Sequence, residues 1–126
     1  MSSSTAVVVL GNDTFFKPSF PGVCSATVTK REDLSTCLNT EAGPSSLSFL
    51  HIVMKAMTLS ALFDPGALSS FLPLLRPNAE VTVHIMDYPG EEDVDTVRMA
   101  LVLANLRIES EEEVMGATII TARFVR

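Results

Sequence analysis

Three short apolar runs, at residues 6–10, 49–54 and 80–87, constrain the fold of this chain more than any other feature of its sequence. All three are rich in valine or isoleucine, and two of them end directly at a turn signal, at Gly11 and at Tyr88-Pro89-Gly90. The first two runs are nearly continuous, which is typical of strands covered on both faces, as in a parallel sheet, and residues 80–87 have the clearest strand propensity. We therefore predict a buried parallel sheet, with residues 25–30 as a more peripheral strand.

Two amphipathic segments between these runs predict helices. In the first, Asp64 and Pro65 fit the N-cap and the first helical position, and Pro73 is expected to kink or shorten the helix. In the second, the helix is expected to begin within residues 91–93. The apolar stripes are Leu68, Phe71, Leu72 and Leu75 in the first helix and Val94, Val97, Leu101 and Ala104 in the second. Residues 32–38 predict a further short helix, whereas residues 55–63 predict a loop or short turn.

The C-terminal part predicts an antiparallel hairpin, because residues 107–114 and 117–125 flank a turn at Met115-Gly116. The resulting order of strands and helices requires right-handed crossovers in a mostly parallel sheet. We predict one α/β domain over residues 1–126, with a three-layer, Rossmann-type, methyltransferase-like sheet that ends in the hairpin. The first crossover, residues 13–22, contains Pro18, Pro21 and Gly22, which predict an irregular, truncated connection.

The charge of the chain is asymmetric. The net charge is −6; up to Ser60 there are four acidic and four basic residues, and after it eleven acidic and five basic ones. An acidic surface repels phosphate and favours a partner with a basic patch, so we predict no nucleic-acid binding. The candidate docking residues are Glu91, Glu92, Asp93, Glu111, Glu112 and Glu113. Two simpler roles stay open: carboxylates suit a helix start, and charge on an edge strand discourages aggregation.

The turn after the first predicted strand lacks the signature of a nucleotide cofactor site. Such sites need a glycine-rich turn for close backbone approach and an acidic residue further on for the ribose. Here Gly11 stands alone, and the next glycine is Gly22. We therefore predict no cofactor-binding residues in this domain.

The other reactive residue types give no catalytic or metal-binding pattern. His51 and His84 alternate with apolar neighbours on predicted strands, so we expect satisfied core histidines. Cys24 and Cys37 have no metal-clip spacing and predict free thiols without zinc or an iron–sulfur cluster. We predict that the methionines fill the core: Met54, Met57, Met86, Met99 and Met115. No apolar run is long enough for a membrane helix, and the N-terminus lacks a signal peptide, so the expected location is cytoplasmic.

The second half of the chain resembles the N-terminal domain of the anamorsin family, the cytokine-induced apoptosis inhibitors. Residues 48–53 are similar to the middle strand of that domain. Residues 68–75, followed by Arg76-Pro77-Asn78-Ala79, resemble its Leu-Arg-Pro-Gly-Gly helix end, with Asn78 and Ala79 in place of the glycine pair. Residues 81–86, 100–106, 108–111 and 117–124 are similar to the elements that follow. The resemblance covers residues 46–126 well and residues 6–38 loosely.

The resemblance implies a methyltransferase-like fold that does not bind a cofactor. The domain would be a non-catalytic scaffold or docking module for electron transfer in cytosolic iron–sulfur cluster assembly. Its partners would be a diflavin reductase and other assembly proteins. The iron–sulfur clusters are expected beyond Arg126, in a cysteine-rich segment that follows a linker. A diverged S-adenosylmethionine-dependent methyltransferase is the alternative.

Overall fold

A computed structural model describes residues 5–11, 24–36, 44–63 and 66–125. Strands and helices alternate through most of this length, and the last two strands form a hairpin. The strands are β1 Thr5–Leu10, β2 Cys24–Val28, β3 Leu47–Lys55, β4 Leu75–Met86, β5 Leu106–Val114 and β6 Ala117–Phe124. The α-helices are α1 Ala56–Leu62, α2 Ala67–Phe71 and α3 Glu91–Leu103, and 3-10 helices span Arg31–Thr36 and Leu72–Leu74.

The six strands form one sheet in the order β2-β1-β3-β4-β6-β5. Strands β1 to β4 pair in parallel, and β6 pairs antiparallel with both β4 and β5. This is the predicted mostly parallel sheet with a C-terminal antiparallel hairpin. The prediction of this sheet rests on the apolar runs, and these runs form its central strands β1, β3 and β4.

The described helices pack on one face of the sheet. Alternate strand residues such as Val8, Ile52 and Val83 join the buried residues of all three α-helices in the main core. Right-handed crossovers that run in the same direction along a sheet lie on the same face, which explains this arrangement. Val7, Val9 and Val53 form a smaller cluster on the opposite face. The predicted layer on that face involves the first crossover, residues 13–22, which lies outside the described residues.

Helix α1, Ala56–Leu62, occupies most of residues 55–63, so the prediction of a loop or short turn there is wrong. The helix begins at Ala56, directly after β3, and the hydroxyl of Thr58 donates a 2.9 Å hydrogen bond to the Lys55 carbonyl. Leu59 and Phe63 are each 3 % exposed and belong to the main core. The apolar stripe is only two turns long, which is why its period was too short to identify from the sequence.

The first predicted helix is shorter than expected, and Leu75 belongs to β4 rather than to the helix. Helix α2 ends at Phe71 and is followed by the 3-10 helix Leu72–Leu74, which contains Pro73. The carbonyls of Pro73 and Leu74 accept 2.9 Å hydrogen bonds from the amides of Ser45 and Ser46, and Leu75 pairs with Leu47 of β3. The missing proline N–H and the competing sheet pairing end the helix together. The predicted N-cap, Asp64 with Pro65, lies outside the described residues.

The start of β4 is irregular. Its register with β3 shifts between the Leu47 and Phe49 pairings, and Asn78 has a positive φ of 68°. Asparagine tolerates this left-handed conformation better than other side chains do. Asn78 therefore fits a position at which the resembling family carries glycine.

The prediction that the methionines fill the core is correct for Met54 and wrong for three others. Met57, Met99 and Met115 are 73 %, 64 % and 98 % exposed. Within the described ranges, no helix has the length and apolar character needed to cross a membrane.

Candidate functional site

Strands β1 to β5 run in one direction, and β6 runs in the opposite direction. The first five strands therefore end at one edge of the sheet, which we call the carboxyl edge. Open sheets of this class bind their ligands outside this edge, where the direction of the crossovers reverses. Here the reversal lies between β1 and β3. The turn of the β5–β6 hairpin reaches the same edge because β5 ends there.

At the β1 end of the carboxyl edge, the structure describes Gly11 and the residues that follow β2. Gly11 is buried and has a φ of 115°, and its N–H donates a 2.8 Å hydrogen bond to the carbonyl of Val28. That amide is therefore already used and is not available to a ligand. Strand β2 is followed by Thr29 and Lys30, and the nearest carboxylates, Glu32 and Asp33, are exposed in the 3-10 helix that comes next. The loop directly after Gly11 lies outside the described residues.

The three carboxylates at the start of α3 have different environments. The Asp93 side chain accepts a 3.0 Å hydrogen bond from the N–H of Gly90 and so caps the helix. Glu91 and Glu92 are exposed in the first turn. Glu91 and Glu92 are therefore the two that present free charge to a partner, and Asp93 is mainly structural.

Strand alternation separates the three glutamates of β5. Glu111 lies opposite Ile120 and Glu113 opposite Thr118, on the face that carries the helices. Glu112 lies opposite Ile119, on the other face. The predicted run is therefore not one cluster, since only two of its members point toward α3.

Arg98 of α3 joins the helix to β5. Its Nε donates a 2.9 Å hydrogen bond to Oε2 of Glu111, and a second guanidinium nitrogen contacts Oε1. Arg98 also contacts Asp95 one turn earlier. The hydrogen bond and charge of Arg98 lower the pKa of Glu111 and more than offset its partial burial, and the same contacts raise the pKa of Arg98.

A cleft of about 340 Å³ lies between the start of α3 and the end of β5, and a cavity of about 360 Å³ beside Tyr88 shares part of its lining. Both spaces are bordered by Pro89, Glu113 and Thr118. We call the combined space the α3–hairpin cleft. Glu91 and Glu111 also line it, so the structure brings members of the two predicted acidic clusters together there.

Tyr88 forms the outer wall of this cleft. Its side chain is 81 % exposed, but its ring lies against Gly116, where a Cβ atom would come within 2.8 Å of the tyrosine Cζ. The Tyr88 N–H donates a 2.7 Å hydrogen bond to the Gly116 carbonyl. Asp87 and Tyr88 both have positive φ, at 66° and 54°, a costly conformation for non-glycine residues.

Thr118 lies at the bottom of the cleft and is 4 % exposed. Its hydroxyl forms no hydrogen bond with any described residue. Among the described side chains, no polar atom that is sealed from solvent lacks a partner, so this hydroxyl opens into the cleft. Tyr88, Arg98 and Thr118 were not identified from the sequence as residues of this cleft. The one sequence feature that could have indicated it is the single tyrosine in the turn after a clear strand.

The two histidines are half-buried rather than core residues, and they satisfy each other. Nδ1 of His51 lies 3.2 Å from Nε2 of His84, across β3 and β4. Burial, with a smaller contribution from His51, lowers the pKa of His84 to about 4. Burial also lowers the pKa of His51, and the charge of Glu80 opposes this. The imidazoles are therefore neutral at physiological pH.

The described residues contain no group of three metal-ligating side chains placed to hold an ion. Cys24 opens β2, and Cys37 lies outside the described residues. The expectation that both are free thiols without metal stays a prediction.

Comparison with solved structures identifies the fold class, and no protein-family model matches the chain. An S-adenosylmethionine-dependent methyltransferase from Aquifex aeolicus is similar over 98 % of this chain and 84 % of its own, with a TM-score of 0.62 and 15 % identity. The antibiotic-resistance methyltransferase Kmr is similar over 99 % of this chain and 88 % of its own, with a TM-score of 0.59 and 14 % identity. An S-adenosylmethionine-dependent methyltransferase from Mesorhizobium loti is similar over 97 % of this chain and 91 % of its own, with a TM-score of 0.59 and 10 % identity.

These similarities confirm the predicted fold: the chain has a methyltransferase-like, Rossmann-type sheet with a C-terminal antiparallel hairpin. At 10–15 % identity they establish the fold and not the activity.

Proposed function

We propose that this domain is a non-catalytic docking module with a methyltransferase-like fold, acting in electron transfer for cytosolic iron–sulfur cluster assembly. In this role it binds a diflavin reductase and holds it near a cluster-binding segment. Two modules that are tethered in this way gain effective concentration, so even weak docking raises the rate of electron delivery.

The hydrogen bond from Gly11 to Val28 carries the non-catalytic part of the proposal. A methyl donor of the nucleoside class depends on free backbone amides directly after β1 and on a carboxylate near the end of β2. The first described amide after β1 is bonded within the sheet, and directly after β2 the chain has Thr29-Lys30, with the carboxylates of Glu32 and Asp33 displaced into the following 3-10 helix.

The charge on the α3–hairpin cleft supports the docking part. Glu91 and Glu113 line the cleft, and Glu92 is exposed beside it. Exposed charge of one sign steers an oppositely charged partner and raises the association rate without a deep interface. Of the six candidate docking residues, these three are the ones that we propose for the contact.

The assignment to iron–sulfur assembly rests on the sequence resemblance to the anamorsin family over residues 46–126. The positive φ of Asn78 supports it at one position, because that backbone conformation explains a glycine in the family and an asparagine here. The reductase is proposed as the partner on the same resemblance.

Isothermal titration calorimetry with S-adenosylmethionine tests the non-catalytic assignment. We expect no saturable heat at micromolar donor concentrations. Saturable binding, with NMR shifts at Gly11 and Val28, would refute it and support the alternative, a diverged methyltransferase, which is favoured by the similarity to methyltransferase structures over nearly the whole chain.

A charge-reversal experiment tests the docking assignment. The variant Glu91→Lys, Glu92→Lys, Glu113→Lys is compared with Glu32→Lys, Asp33→Lys, Glu112→Lys, which makes the same charge change at exposed positions elsewhere. Association with a diflavin reductase is measured by biolayer interferometry at low and moderate salt. We expect the first variant to bind at least about tenfold more weakly at low salt and the second to bind nearly as the unaltered chain does. Equal binding by both variants would exclude the cleft as the docking surface.

A further inference from the structure

We propose that the α3–hairpin cleft binds an arginine side chain of a protein partner, with its guanidinium between the ring of Tyr88 and the carboxylate of Glu113. This inference deepens the proposed docking function and rests on it, since it identifies the group on the partner that is recognised.

The charge of the cleft selects a cation. Glu91, Glu111 and Glu113 line it together with one basic residue, Arg98, which is already paired with Glu111. Glu113 forms no ion pair with any described residue. The start of α3 would favour an anion, but the carboxylates of its first turn oppose one. A positively charged group therefore fits and an anion does not.

The hydroxyl of Thr118 marks the same position independently of the charge. Thr118 lies opposite Glu113 in the hairpin, is 4 % exposed as a residue and has no described hydrogen-bond partner. Because its hydroxyl is open to the cleft, it can accept a hydrogen bond from a donor that enters there. A guanidinium has five N–H donors, enough for a carboxylate and a hydroxyl together.

Tyr88 indicates arginine rather than lysine. Its exposed ring lines the cleft and packs against the backbone of Gly116, which restricts the ring's movement. A planar guanidinium stacks on an aromatic face and still bonds a carboxylate with two parallel hydrogen bonds. A lysine ammonium is a strongly hydrated point charge and gains less from this arrangement.

The test is an NMR titration of the whole chain with N-acetyl-arginine-amide at millimolar concentrations. We expect saturable shifts at the amides of Tyr88, Glu113, Gly116 and Thr118, and none with N-acetyl-citrulline-amide, which has nearly the same shape but no charge. Glu113→Gln should weaken binding by about fivefold or more, as expected for the loss of a charge-assisted hydrogen bond. Glu112→Gln is the matched control, because it makes the same change on the opposite face of β5, and should bind as the unaltered chain does.

Binding that is equal in the two glutamine variants, or equal for the arginine and citrulline probes, would overturn the inference. A Tyr88→Ala variant that keeps full affinity would overturn the stacking part. Loss of arginine binding with an intact reductase interaction would leave the docking function standing and refute only this site. Arginine binding at Glu113 without any reductase interaction would support this site and refute the docking function.

Discussion

The rings of His51 and His84 share one hydrogen bond of 3.2 Å between Nδ1 of the first and Nε2 of the second. One nitrogen donates and the other accepts, so the bond survives one protonation and is lost when both rings are charged. Burial lowers the pKa of both histidines, and for His84 to about 4. Folding is therefore linked to proton binding at this pair.

The first prediction concerns pH. The pKa of folded His84 lies below the ordinary value of 6.5, so the unfolded chain binds more protons between these values. Its contribution to stability is complete above pH 6.5 and is lost as the pH falls toward about 4. Allowing for solvent screening at a half-buried site, we expect a loss of roughly 1–2 kcal/mol. Urea unfolding at several pH values should show it in the unaltered chain and not in His84→Gln. Parallel pH profiles would contradict the prediction.

The second prediction concerns helix α1, which anchors the main core. Leu59→Ala should lower the free energy of unfolding by about 2–4 kcal/mol, because a 3 % exposed leucine loses its contacts and leaves a cavity. Met57→Ala, in the same helix but at a position 73 % exposed, should change it by less than about 0.5 kcal/mol. Urea denaturation measures both. If the two variants were equally stable, α1 would not pack as described.

The third prediction concerns the contact between Tyr88 and Gly116. Gly116→Ala should destabilise the chain by about 1–3 kcal/mol, because alanine is strained at a φ of +82° and its Cβ would lie 2.8 Å from the tyrosine Cζ. Adding Tyr88→Ala removes the clash but not the backbone strain. The double variant should therefore recover part of the lost stability, and a double-mutant cycle by thermal unfolding measures that part. Strictly additive effects would show that the ring does not rest on Gly116.

The fourth prediction concerns the ion pair of Arg98 with Glu111. Because both side chains are partly exposed to solvent, Glu111→Gln should lower the thermal midpoint by at most about 4 °C, and the difference should shrink at high salt. Because the pKa of Glu111 is lowered in the folded chain, the ion pair contributes to stability at pH values above the ordinary glutamate range, and this stability is lost on acidification. A large, salt-independent loss would mean that Glu111 has a packing role that its exposure does not indicate.

The strands and the final helix could be predicted from the sequence because their patterns are long and regular. The stripe of Val94, Val97, Leu101 and Ala104 is buried as expected, and the turn at Met115-Gly116 connects β5 and β6. Where the pattern was short or contested, tertiary contacts decided the outcome. Leu75 has helical spacing from Leu68, but its pairing with Leu47 places it in the sheet.

The candidate site was predicted less well, since its parts are far apart in sequence. The two acidic clusters could be found from composition, but strand alternation sends Glu112 to the other face and Arg98 neutralises Glu111. No sequence pattern indicates that the Thr118 hydroxyl lacks a partner, or that Tyr88 rests on a glycine 28 positions later. Such properties depend on how the β4 turn and the hairpin turn meet.

The meeting of these two turns has a consequence for how the fold could have diverged. At one end of the carboxyl edge, the amide of Gly11 is hydrogen-bonded to Val28 of β2. The open, polar cleft lies at the other end, beside β6 and β5. In the described part of the chain the two ends are built on strands that are not neighbours in the sheet, so we expect substitutions at the two ends to have nearly additive effects. If the proposed recognition at Glu113 and Tyr88 holds, it can change its partner without disturbing the β1 turn, and a glycine-rich β1 turn could be introduced by design without altering the cleft.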